Sequence, residues 1–289
     1  MTIVTVISNR RTMSIEHEIS NVVTMFARKP IWAVLITMAA MFAMNIGGAF
    51  PAMVLMSPQN LFRRPAMAVG VTLAAVLIIW LLRRFVTRQP WSGVRLHWDR
   101  KAISRFALGA AAAMAAVLTA NAISIAVGIA RLHPFDTEGL PWATVVLLIF
   151  VLPLLNQAFP EELLWRGHLY DTLSPRIALV TTTLAFGAMH IISQGGQQGI
   201  VEHLLYVVTA CALGFGCGAA RERTGSLWAA VGFHTGFHWA NRVMPTEGIQ
   251  YGVQLVLLAV TMTVAAVLLL RAGRRASDAK HDQAETVTG

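Results

Sequence analysis

The sequence predicts an all-α, polytopic integral membrane protein with about eight transmembrane helices. Hydrophobic residues make up 56% of the chain and charged residues only 13%, against roughly 25% charged in globular domains. The mean hydropathy is +0.60. The apolar residues are also gathered into long stretches without charge, as expected where the bilayer is the solvent.

Residues 1–30 are polar, with Ile15, Ile19, Val22, Val23 and Phe26 at roughly helical spacing, and read as an interfacial or disordered cytoplasmic tail. Glu16, His17, Glu18, Arg28 and Lys29 interrupt any short apolar core there, so no cleaved signal peptide is expected. The first span is expected at 31–56, with Asn45 and Pro51 inside it, and the second at 66–82.

A basic segment follows from Arg83 to Arg105, with Trp91 and Trp98 among its arginines. It reads as a topology-setting loop on an anionic leaflet with aromatic anchors, and nucleic acid is not an expected partner. The third span, 106–130, is alanine-rich, as tightly packed membrane helices are. After a turn at 131–141, a fourth begins near Trp142, runs through 145–155 and leads by Asn156 and Pro160 into Glu161 and Glu162. The remaining spans are expected at 177–192, 204–220, 227–241 and 251–270, with a polar, disordered tail from Arg271.

This gives one transmembrane domain over residues 31–271, with its functional core at about 142–243, between cytoplasmic tails at 1–30 and 272–289. An even number of crossings puts both termini on one side. With that side inside, every Lys and Arg except Arg63, Arg64, Arg131 and Arg242 falls on an inner segment. The location that follows is the plasma or inner membrane. Cys211 and Cys217 lie six apart in one apolar run, about 240° apart around a helix, and read as small apolar fillers. The sequence gives no oligomeric state.

Ionisable groups at membrane depth cost ~2.5–3.5 kcal/mol on insertion scales, so each one marks a functional site by default. Glu161 and Glu162 diverge by ~100° on a helix and must do different work. Arg166, four residues after Glu162, is placed to hold one carboxylate while the other faces a cavity. His190 lies deep in the fifth span. In the seventh, His234 and His238 share a helical face at i and i+4, with Asn241 a further turn along.

An i, i+4 histidine pair is how a helix holds zinc. A carboxylate in an apolar cavity can take a proton from water, and histidines opposite it can stabilise an oxyanion or hold a metal that polarises a carbonyl. Either arrangement hydrolyses a peptide bond, and the membrane makes the substrate a membrane-attached protein or peptide.

The patterns E-E-x-x-x-R (Glu161, Glu162, Arg166), F-x-x-x-H (Phe186, His190) and H-x-x-x-N, with Arg223-Thr-Gly-Ser-Leu-Trp228 before the last, resemble the CAAX prenyl protease and bacteriocin-processing family of intramembrane peptidases. That family also takes in bacterial proteins linked to self-immunity and abortive infection. The similarity runs from about Pro160 to Asn241 and implies eight membrane helices around a polar cavity open to the cytoplasm. It further implies that Glu161 activates water, that Glu162 and Arg166 support it, and that His190 and His234 are the family's two histidines.

The chain departs from the family at His238, where asparagine or aspartate is usual. An imidazole there tilts the site towards one divalent metal, zinc first, on His190, His234, His238 and Glu161; a glutamate-type peptidase needs none. Two other classes are weighed: a non-catalytic membrane immunity or scaffold protein, favoured by His238, and a divalent-metal transporter. The transporter is disfavoured because the first, second, third and eighth spans carry no charge in their cores.

Overall fold

The computed structural model describes residues 21, 24–25, 29–133, 137, 139–248 and 250–288, with side chains described as far as Arg274. The tail expected over residues 1–30 lies almost wholly outside these. Among the described residues there are eight helices of membrane scale: α1 (Pro30–Leu55), α2 (Arg63–Val86), α3 (Ala102–Ala126), α4 (Trp142–Thr172), α5 (Pro175–Ile192), α6 (Gly199–Thr224), α7 (Leu227–Val243) and α8 (Tyr251–Thr288). All but α7 are long and apolar enough to cross a membrane, and the protein is an all-α polytopic membrane protein.

The helix α7 has 17 residues, or about 25 Å at 1.5 Å per residue, short of a hydrocarbon core of ~30 Å. It is the bundle's interior element, packed chiefly on α3 and also on α6 and α4. Its seam with α3 is built from small residues. A Cβ on Gly232 would stand 2.1 Å from the Phe106 carbonyl oxygen, and one on Gly236 would stand 2.4 Å from that of Ala110. Backbones this close leave room for hydrogen alone, which is how membrane helices pack without a hydrophobic drive between them. Ser226 starts α7 by accepting from the Trp228 backbone N–H at 3.3 Å.

The fourth span continues beyond Pro160, as a meeting of Glu161 with the later histidines requires, but it is not a plain α-helix. It winds as π-helix over Leu147–Val151, Leu154–Ala158 and Leu163–Leu169. Pro160 has no N–H, so the Leu155 carbonyl loses its i→i+5 donor there. The Thr72 hydroxyl on α2 donates to that carbonyl instead.

Three features differ from the sequence expectations. A short antiparallel strand pair, β1 (Ala130–Leu132) with β2 (Thr246–Gly248), ties the α3–α4 connection to the α7–α8 connection. The helix α8 runs on to Thr288 rather than ending near Leu270; Ala276, Ala279, Lys280, Gln283, Ala284 and Glu285 are good helix formers.

The basic segment is strapped to the protein, a contact the sequence reading did not foresee. Arg83 is buried, and it donates to the Pro90 carbonyl and, at 2.7 Å, to the Asp171 carboxylate. The Leu227 N–H donates to the Arg95 carbonyl at 3.0 Å, the Trp228 indole donates to that of His97 at 3.1 Å, and Trp98 packs edge-on against Trp228. Arg84, Arg88, Arg95, Arg100 and Lys101 remain exposed.

Candidate active site

Glu161 and Glu162 sit on one short α turn, Phe159–Glu162, between two π stretches of α4. Such windings recur at functional sites because they rotate side chains out of the regular helical order. The two carboxylates are divided as their ~100° separation demands. Glu162 is 0% exposed and Glu161 7%, so both are buried and Glu161 keeps the little exposure there is.

Glu162 is the anchor. Its Oε1 accepts from Arg166 Nη1 at 3.2 Å and from His234 Nδ1 at 2.9 Å. Arg166, 0% exposed, also donates through Nη2 to the Gly214 carbonyl of α6 at 2.7 Å, and its guanidinium lies 4.6 Å over the Phe186 ring. Three helices are thereby fixed around one carboxylate. A buried charge is tolerated where it is paired and hydrogen-bonded in this way.

His190 and His234 are each oriented through Nδ1, leaving Nε2 for chemistry. In His234 the Nδ1–H donates to Glu162; in His190 it donates to the Phe186 carbonyl at 2.8 Å. The partners are acceptors, which sets both tautomers. Phe186 stands between the two rings, 4.7 Å from His190 and 5.9 Å from His234. Glu161 interacts electrostatically with His234 and with Tyr206 of α6, whose ring is 6.0 Å from that of His190.

His238 stacks on His234 with ring centroids 5.1 Å apart and planes at 20°, and its Nε2 is buried without a partner among the described residues. Asn241 donates one Nδ2 hydrogen to the Phe237 carbonyl of its own helix at 2.9 Å. A cavity of about 690 Å³, lined by Arg64, His133, Asn156, Gln157, Asn241 and Arg242 among others, lies one turn before Glu161 on α4 and one turn beyond His238 on α7. It is at the helix ends away from the basic strap.

Residues 141–240 match the type II CAAX prenyl endopeptidase Rce1-like family. The Rce1-like domain runs from the start of α4 almost to the end of α7. It therefore holds Glu161, Glu162, Arg166, His190, His234 and His238, while α1 to α3 and α8 lie outside it. The match agrees with the resemblance carried by the three motifs and is to a family of CAAX-protease-like intramembrane endopeptidases. No curated protein matches the chain.

The Rce1-like domain does not gather the four expected metal donors. Among the described residues, the three donor residues whose ligand atoms lie within 4.8 Å of one another are Glu162, Cys217 and His234. His190, His238 and Glu161 stand outside that set. This trio is a poor cation site, because Glu162 is already neutralised by Arg166 and its Oε1 is engaged by two donors. The sequence reading missed Cys217, Tyr206 and the Gly214 carbonyl. All three are on α6, which carries no charged motif in this region to draw notice.

Proposed function

We propose that the chain is an intramembrane endopeptidase of the glutamate type, with Glu161 as the general base and no metal in the chemical step. The observation that carries this reading is the division of labour between the two glutamates. Glu162 is spent on Arg166 and His234, whereas Glu161 keeps 7% exposure and interacts electrostatically with His234. The substrate is a membrane-anchored protein or peptide.

In this reading a water held between Glu161 and His190 Nε2 attacks the scissile carbonyl carbon. Glu161 takes the proton as the C–O bond forms. The oxyanion is met by the imidazoles of α7, of which His234 is held in place by its Nδ1 bond to Glu162. Tyr206 adds a neutral hydroxyl donor on the facing helix. When the tetrahedral intermediate collapses, the C–N bond breaks and Glu161 returns the proton to the leaving amine. Burial of Glu161, Glu162, Arg166 and His234 keeps bulk water from that side of the site, which strengthens their interactions.

His238 fills the place of the family asparagine as a stacked ring with a buried Nε2 that steadies His234. The test is purified protein in liposomes with a quenched, membrane-anchored peptide, with and without a chelator. Turnover that is unchanged after chelation supports this reading. Loss on chelation with rescue by zinc contradicts the glutamate assignment, and an absence of hydrolysis contradicts the enzyme itself.

A further inference from the structure

Glu162 has an unfinished set of hydrogen bonds. Oε1 has two donors, while Oε2 is buried with no partner among the described residues. A buried carboxylate oxygen without a donor is costly, and native structures rarely leave one so. The thiol of Cys217 is a neighbour of this carboxylate. Cys217 is fully buried, and its Sγ, a ring nitrogen of His234 and a carboxylate oxygen of Glu162 lie within 4.8 Å of one another.

The placement is not local to one side chain. Gly214 and Cys217 are three apart on α6 and share a face. Through that face α6 offers its Gly214 carbonyl to Arg166 and its Cys217 thiol to the Glu162–His234 pair. The other thiol, Cys211, lies elsewhere, against Gly187 of α5. A cysteine S–H is a weak donor, and a carboxylate is the acceptor that suits it best.

We propose that Cys217 is a positioning residue whose S–H donates to Oε2 of Glu162. The carboxylate is then held on both oxygens, with Arg166 and His234 on one and the thiol on the other, and His234 Nδ1 stays in register. The kinetic consequence rests on the peptidase reading above; the bond itself does not.

Infrared spectroscopy decides the bond without any need for activity. In a Cys211→Ala background one thiol remains, and its S–H stretch is expected below the frequency of a free thiol in an apolar solvent, moving upward in Cys211→Ala/Glu162→Gln. The wild type minus Cys217→Ser difference spectrum isolates the same band without the background change. A band at the free-thiol frequency that ignores Glu162→Gln overturns the proposal.

In the peptidase assay Cys217→Ala is expected to lower kcat about 10-fold with KM unchanged, as for loss of one hydrogen bond to a charged group. Cys217→Ser, which restores a donor, is expected to recover most of that loss. Equal loss in Ala and Ser variants overturns the positioning role. A wild type without turnover overturns only the peptidase reading, because the infrared result stands by itself.

Discussion

Two adjacent glutamates with unlike surroundings make a separable pair of experiments. Glu162→Gln leaves Arg166 buried and short of its counter-charge, and loss of one partner of a buried pair costs ~3–5 kcal/mol. Thermal denaturation in detergent is expected to show a large fall in Tm for Glu162→Gln and little change for Glu161→Gln. The spacing of Arg166 from Glu162, and of His238 from His234, made these pairings legible in the sequence, because i, i+4 neighbours on a helix meet whatever the fold. The third residue on Glu162 was not legible in this way. Whether Cys217 turns towards α4 depends on the rotation of α6 in the bundle, and nothing within α6 itself fixes that rotation.

The helices that place these residues make their own demands. Gly232 and Gly236 let α7 approach α3 to backbone contact, with would-be Cβ atoms 2.1 Å and 2.4 Å from carbonyl oxygens. Gly232→Val therefore drives α7 off α3 and displaces His234. Overpacking of ordinary cores costs ~1–3 kcal/mol, and a clash with backbone lies at or above the upper end. Folded yield and Tm are both expected to fall, with activity lost.

Thr72→Val removes the donor to the Leu155 carbonyl beside Pro160. It is expected to lower Tm by a few degrees, corresponding to ~1–3 kcal/mol for an unsatisfied buried acceptor, and to slow turnover more than a change elsewhere on α2. The extent of the fourth span and its need to pass Pro160 followed from hydropathy and motif geometry. Its π winding did not, because the carbonyl that Pro160 frees is satisfied by a hydroxyl 83 residues away in sequence.

Across the molecule, the count of eight helices came directly from hydropathy, including α7, whose 17 residues fit an interior helix with lipid shielded by its neighbours. What hydropathy could not separate was a loop that lies on a membrane from one strapped to the protein. Exposed arginines and tryptophans look alike in both, and the contacts of Arg83 with Asp171 and of the Arg95 and His97 carbonyls with Leu227 and Trp228 distinguish them. The charge asymmetry predicts that this strap and the end of α8 share the cytoplasmic side. In intact cells a membrane-impermeant maleimide is expected to label Ser57→Cys, and to label Ser92→Cys or Arg274→Cys only after permeabilisation. The reverse pattern contradicts the assigned orientation.

The account as a whole turns on Glu161. The most direct measurement is cleavage of a quenched, membrane-anchored peptide in liposomes by wild type, Glu161→Gln and Glu161→Ala, each matched for folded protein by thermal denaturation. Removal of the general base is expected to lower kcat at least ~10²–10⁴-fold in both variants, with Tm near wild type. Turnover that persists in both variants contradicts the catalytic assignment.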